Sequence, residues 1–137
     1  MRWATRPGVH VDRAASAWLI RRFIDPEAEY VFLDDPDDVP PDATPFDMLG
    51  VELTHHGEHV TFETILDRYS LDDPVLAQLG RIIHEADVSD DLYDTPEAAG
   101  LDAIIRGLSL TSDDNEILAL TGPVFDGLYA WLHRRRG

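Results

Sequence analysis

Histidine and carboxylate side chains are concentrated in the stretch THHGEHVTFETI, residues 54–65. His55, His56 and His59 supply three of the 6 histidines in the chain, and Glu63 follows in the same stretch. Imidazole nitrogen and carboxylate oxygen are suitable ligands for Fe, Mn, Zn and Co. The chain has no cysteine, so any metal must be held by nitrogen and oxygen donors. The stretch is therefore either a metal site or a solvated polar loop.

The order of residues within this stretch separates the histidines. In an extended chain alternate side chains face opposite sides, so His55 and His59 would share one side and His56 the other. Thr61 is a suitable N-cap for a short helix that would carry Glu63 in its first turn. A carboxylate there interacts favourably with the helix dipole, so Glu63 has a structural interpretation beside the metal-binding one.

A second pair of candidate ligands lies on the helix predicted for PVLAQLGRIIHEAD, residues 74–87, which begins with proline. His84 and Asp87 are three positions apart and therefore neighbours on one face. The small residues Ala77 and Gly80 precede them on that face and allow another backbone to approach closely. The pattern predicts half of a His/carboxylate metal site. The alternative is a His–Asp contact at a helix end, favoured by the helix dipole.

Arginines accompany an apolar run, DRAASAWLIRRFI, at residues 12–24. It predicts a helix with Asp12 as its N-cap. Apolar residues lie nearly all the way round this helix, which indicates a central position in the fold. Arg13 falls on an apolar stripe and needs a carboxylate or an anion as its partner. Arg21 and Arg22 are further candidates for binding an anion.

The remaining pattern predicts a mainly α fold with a small β element (α+β), a single compact helical domain over residues 1–137 around the buried N-terminal helix. Residues 29–33 are β-branched and aromatic, which predicts a strand, and residues 46–54 are expected to give one or two more. The proline- and aspartate-rich segment at 34–45 predicts a surface loop.

Two further helices are predicted towards the C-terminus. Pro96 is placed to open the first, and Asp113 with Glu116 fits a capping box at the start of the second. Gly122 and Pro123 are expected to kink or split this last helix, because proline cannot donate a backbone hydrogen bond.

The net charge is −16, from 27 acidic and 11 basic residues. This charge repels phosphate backbones and anionic membranes, so we expect no direct nucleic-acid binding and no membrane association. No apolar run approaches the roughly 18 residues that span a bilayer. The N-terminal residues do not resemble a signal peptide, which favours a cytoplasmic location.

The run VDRAASAWLIRRFIDPEAEYVFL resembles the signature of chromate-resistance proteins of the ChrB type, in their C-terminal domain. The runs PFDMLGVELTHHGEHVTFETIL, QLGRIIHEAD, PEAAGLDAIIRGL and FDGLYAWLH are similar too, in the same order, over residues 3–133. Longer family members carry an additional N-terminal region associated with regulation of chromate-resistance genes. The match does not include that region, so we expect no role as a DNA-binding regulator.

The resemblance also implies which residues belong to the family pattern. It favours His55 and Glu63 over His56 and His59, which match positions where relatives more often carry other residues. The pattern comprises Asp12, Arg13, Trp18, Arg21, Arg22, Asp47, His55, Gly57, Phe62, Glu63 and Asp87.

We therefore predict a cytoplasmic metal-binding domain linked to chromate resistance, which would hold a divalent transition metal (Fe, Mn or Zn). Asp12 and Arg13 are expected beside the ligands, where Arg13 would orient a carboxylate or receive an anionic ligand. The predicted metal ligands are His55, Glu63, His84 and Asp87.

Two alternatives stay open. In the first, the chain is a metal-free oxyanion sensor or accessory domain without catalysis, and Arg13, Arg21 and Arg22 bind a tetrahedral dianion such as chromate or sulfate. In the second, it is a structural or interaction module whose histidines and carboxylates only tie loops to the core. The sequence defines neither a reaction nor an oligomeric state.

Overall fold

A computed structural model describes residues 1–88 and 94–136 of the chain. The strands are β1 (Arg2–Thr5), β2 (Glu29–Phe32) and β3 (Ala43–Pro45). The helices are α1 (Val11–Leu19), α2 (Thr61–Arg68), α3 (Pro74–Val88), α4 (Ala98–Ser109) and α5 (Asp114–Arg136). Within the described ranges, no helix has both the length and the apolar composition needed to cross a bilayer. The predicted mainly α fold with a small β element is confirmed.

The three strands form one parallel sheet in the order β2-β1-β3. Trp3 of β1 lies beside Tyr30 of β2 and Thr44 of β3. The strand predicted at 29–33 is confirmed, whereas β1 was not predicted. This central strand has only 4 residues, too few to show a periodic pattern.

The prediction of further strands at 46–54 is wrong. The third strand ends at Pro45, inside the segment predicted as a loop, and residues 46–54 contribute only an isolated bridge between Phe46 and Leu53. Asp47 and Gly50 adopt positive φ angles of 51° and 84°. Such left-handed conformations are incompatible with a continuous extended strand.

Helix α1 is the central element, as its all-round apolar pattern predicted. It is almost entirely buried and contacts α2, α3, α4 and α5. It continues without a break as a π-helical segment, Ile20–Ile24, in which the Asp25 N–H donates to the Ile20 carbonyl over 2.7 Å. The buried side chains of α1 join those of the sheet and the other helices in one hydrophobic cluster.

Asp12 does not cap its own helix, contrary to the sequence-based expectation. His10 occupies that N-cap position, and Asp12 is buried in the first turn of α1. Its two carboxylate oxygens accept the backbone N–H groups of Thr61 and Phe62, each over 3.0 Å. Asp12 therefore caps α2 from a different helix. The predicted N-cap role of Thr61 is also wrong, because Val60 holds that position.

The signals for α3 and α5 are confirmed, whereas α4 begins two residues after Pro96, the proline expected to open it. Helix α3 begins at the predicted proline, and Asp73 accepts the Val75 N–H over 2.8 Å. Asp113 and Glu116 form the predicted reciprocal capping box, with bonds of 3.1 and 2.9 Å. Pro123 does not split α5, which runs on through it. Its buried side chains on both sides of the proline hold the helix against the core, which offsets one missing backbone hydrogen bond.

Helices α2 and α3 approach each other closely at Gly80, on the small-residue face predicted for α3. A Cβ atom at this position would lie 3.5 Å from the Glu63 Cγ and 3.5 Å from the Phe62 Cδ1. These are ordinary van der Waals distances. The site therefore has room for a methyl group but not for a longer side chain.

We expect Gly80→Ala to raise the free energy of unfolding by about 0.5–1 kcal/mol, because alanine is the better helix former. Gly80→Leu should lower it by about 1–3 kcal/mol, because the larger side chain forces α2 away from α3. Urea denaturation monitored by circular dichroism measures both changes. Gly100→Ala, at a position of α4 with open space, is the matched control and should stabilise like Gly80→Ala. A destabilised Gly80→Ala beside a stabilised control would contradict this packing.

Candidate metal centre

Side chains from three elements converge at one end of α1. Asp12 comes from the first turn of α1, His55 from the loop before α2, and Asp87 from the last turn of α3. The His55 Nε2 lies 3.0 Å from the Asp12 Oδ2 and 3.4 Å from the Asp87 Oδ2. One ligand atom from each residue lies within 4.8 Å of the others. Bonds of about 2.0–2.2 Å to a common ion separate donors by about 3–4 Å, so these groups are near ligand spacing.

The three side chains differ in their access to solvent. Asp12 is only 4% exposed, Asp87 is 25% exposed and His55 is 47% exposed. Together they border a cavity of about 240 Å³, which Gly8, His10, Arg13 and Asp47 also line. The arrangement combines one rigid buried carboxylate with two side chains that an ion could reach from solution.

Arg13 is held beside this cluster by several partners. Its Nε lies 3.0 Å from the Asp47 Oδ2, and its guanidinium donates to the carbonyl oxygens of Pro7 and Gly8, each over 3.0 Å. The Thr61 hydroxyl donates to the other carboxylate oxygen of Asp47 over 2.7 Å. The partner predicted for this arginine is thus a carboxylate of the protein.

The electrostatics of the cluster show an excess of negative charge. Burial, together with the neighbouring Asp12 carboxylate, raises the pKa of Asp87 to about 6, and the positive charge of His55 only partly opposes this. Burial and Asp12 also raise the pKa of Asp47, against the effect of Arg13. The hydrogen bond to Asp12 raises the pKa of His55. A bound cation would offset the repulsion among these carboxylates.

Glu63 and His84 meet each other at a different place. The His84 Nδ1 lies 2.8 Å from the Glu63 Oε1, and the same oxygen accepts the Val60 N–H over 3.2 Å. His84 is 1% exposed and Glu63 is 13% exposed. The structure thus brings His55 and Asp87 together with Asp12, and Glu63 together with His84. Metal binding by any of these side chains stays a prediction.

The remaining predicted residues lie apart from the Asp12 cluster. Arg21 and Arg22 are roughly 13–15 Å along the helix from Asp12, given a rise of about 1.5 Å per residue. Arg21 donates to the Ala28 carbonyl over 2.9 Å, and the Arg22 Nε lies 3.5 Å from the Asp126 Oδ1.

His56 and His59 are exposed and pair through their backbones across the turn at Gly57. Both histidines had ranked below His55 as candidate ligands on sequence grounds. Asp47 was named only through the family resemblance, because an isolated aspartate in a loop carries no chemical signal of its own. Asp12 was expected beside the ligands. The structure shows in addition that it is buried and directly contacts His55.

Comparisons with known proteins show which family this chain resembles over most of its length. The family described as ChrB, C-terminal domain, matches residues 3–132. Protein ChrB of Cupriavidus metallidurans is 45% identical over 131 residues, which cover 93% of this chain and 39% of that protein. The chain therefore spans less than half the length of this curated relative. No solved structure matches the chain. The resemblance seen in the sequence motifs is confirmed, and the chain belongs to the ChrB C-terminal domain family.

Proposed function

We propose that this chain is a metal-binding domain linked to chromate resistance, with Asp12, His55 and Asp87 as ligands of a divalent transition metal. The observation that carries the proposal is the convergence of these ligand atoms within 4.8 Å of one another, at the edge of a cavity. Two carboxylates and one imidazole suit Fe, Mn or Zn. Three protein ligands would leave coordination positions for water or a small anion.

The charge of the site supports a cation more than an anion. Asp12, Asp47 and Asp87 share one cavity, and the pKa values of Asp47 and Asp87 are raised first by burial and second by the neighbouring Asp12 carboxylate. Arg13 offsets one of these charges through its ion pair with Asp47. A divalent ion would compensate the others, and the paired Arg13 and Asp47 would form the layer of residues behind the ligands.

The proposal differs from the ligand set predicted from the sequence. It keeps His55 and Asp87 and adds Asp12. It gives Glu63 and His84 the role of a hydrogen-bonded pair that joins α2 to α3 beneath the site. The expected cytoplasmic location and the expected absence of direct nucleic-acid contact are retained, the latter because of the net charge of −16.

The metal-free oxyanion alternative has weaker geometric support. It requires Arg13, Arg21 and Arg22 to act on one anion, but they lie at opposite ends of one helical run. Arg13 donates hydrogen bonds to the carbonyl oxygens of Pro7, Gly8 and Asp47, and its Nε lies 3.0 Å from the Asp47 carboxylate. Calorimetry with chromate and sulfate on chelator-treated protein tests this alternative, which requires binding that Arg13→Ala abolishes.

We expect the protein purified without chelator, then loaded with Mn²⁺, Fe²⁺ or Zn²⁺, to hold about one ion per chain by elemental analysis. His55→Gln and Asp87→Asn should each weaken binding at least about tenfold, because each removes a ligand. The matched control is His59→Gln, which removes a histidine of the same loop that lies outside the cluster and should bind like the wild type.

Glu63→Gln distinguishes the proposed ligand set from the set predicted from the sequence, which includes Glu63. It should retain metal binding if the ligands are Asp12, His55 and Asp87, and lose it if Glu63 is itself a ligand. Metal content near zero in the wild type, or equal binding by wild type and Asp87→Asn, would contradict the proposal.

We also expect Asp87→Asn to stabilise the metal-free protein at about pH 8. The pKa of Asp87 is about 6 in the folded state against an ordinary value of 3.8. The folded state therefore binds this proton more tightly than the unfolded state, and ionisation lowers stability as pH rises from about 4 to 6. Asparagine does not ionise and so loses no stability as the pH rises. The stability difference between Asp87→Asn and the wild type should therefore shrink as the pH falls through 6.

Thermal denaturation in the presence of chelator measures this effect. Adding metal should reverse the order of the two proteins, because only the wild type gains stability from the bound ion. A lower midpoint for Asp87→Asn than for wild type at about pH 8, without metal, would show that the carboxylate is not a source of repulsion.

A further inference from the structure

A second cavity, of about 280 Å³, lies at the other end of α1 from the candidate metal centre. Its walls come from the end of α1 and the start of the π-helical segment, from β2, and from the middle of α5. It contains none of the side chains of the candidate metal centre. A ligand in this cavity would therefore not contact the proposed metal ligands.

Both helical walls of this cavity have irregular backbones. On one side α1 changes to a π-helical segment, a feature that often occurs at functional sites. On the other side Pro123 has no N–H to donate to the carbonyl of Ala119, and both residues line the cavity.

Arg21 supplies a positive charge to this cavity. One of its five donors contacts the Ala28 carbonyl over 2.9 Å, and its guanidinium lies 4.8 Å from the centre of the Tyr30 ring. Among the residues that the structure describes, no carboxylate forms an ion pair with Arg21. Arg22, by contrast, already lies 3.5 Å from the Asp126 carboxylate.

The aromatic residues of the cavity offer apolar surface. The Tyr30 hydroxyl donates to the Ala17 carbonyl, and the Trp18 Nε1 donates to the Asp126 Oδ1 over 2.9 Å. Their polar atoms are thus engaged within the protein. The cavity therefore combines apolar walls with one guanidinium that has donors to spare.

We propose that this cavity binds a small organic monoanion, a carboxylate with an aromatic or branched aliphatic body. The carboxylate would pair with Arg21, and the body would pack against Trp18 and the segment around Pro123. The volume suits a ligand of roughly ten non-hydrogen atoms, at the small end of known ligand sites. The Asp126 carboxylate at the wall disfavours a second negative charge, and the apolar walls disfavour a tetrahedral dianion.

The test is a titration of the nitrogen-15-labelled full chain with benzoate, in the presence of chelator so that no metal can coordinate the probe. We expect a saturable shift of the Trp18 indole N–H signal, with a dissociation constant of about 0.1–1 mM. Trp131, which is exposed on α5, serves as the internal reference and should not shift. Benzyl alcohol and sulfate, which lack either the charge or the apolar body, should bind at least about tenfold more weakly.

Arg21→Gln should weaken benzoate binding at least about tenfold and leave benzyl alcohol unchanged. The matched control is Arg106→Gln, an exposed arginine of α4 that pairs with Asp102. Ala119→Phe, at an exposed position of the cavity wall, should block both probes without entering the core. The proposal is overturned if benzoate does not saturate by about 20 mM, if folded Arg21→Gln binds it like the wild type, or if sulfate binds as tightly as benzoate.

Discussion

The candidate metal centre depends on one interaction, the capping of α2 by the Asp12 carboxylate of α1. Its oxygens accept the first N–H groups of α2, at Thr61 and Phe62, which have no partner within the helix itself. A buried carboxylate is stable there because it receives two charge-assisted hydrogen bonds and lies at the positive end of the helix dipole. These bonds fix α2 relative to α1. They also fix the end of the loop that carries His55, whose Nε2 lies 3.0 Å from the same carboxylate.

The same interaction sets the charge of the cavity beside it. The pKa values of Asp47 and Asp87 rise because both side chains are buried and, in addition, because the Asp12 carboxylate is held close to them by its capping bonds. The protein compensates Asp47 with Arg13 and leaves Asp87 facing His55. At the other end of the helical run the unpaired charge is positive, because Arg21 has no carboxylate partner among the described residues. One buried helix thus separates a cavity rich in carboxylates from a cavity whose arginine has no carboxylate partner among the described residues.

Much of the fold followed from signals within a few residues. The proline that opens α3, the capping box of Asp113 and Glu116, and the β-branched run of β2 each predicted an element that the structure contains. These signals are reliable because capping and helix initiation involve groups that are neighbours in the chain. The all-round apolar pattern of α1 likewise indicated its central position. The family followed from several motifs in a fixed order, which is a property of sequence alone.

The sequence by itself determined the family, the α+β class and a short list of candidate ligands. Only the tertiary structure decided how those candidates are grouped. His84 and Asp87 are neighbours on α3, yet one meets Glu63 and the other meets His55, because different elements approach the two positions. The parallel sheet and the capping of α2 by Asp12 also join residues far apart in the chain. No local pattern encodes such contacts, since each partner is chosen by the packing of whole elements around α1.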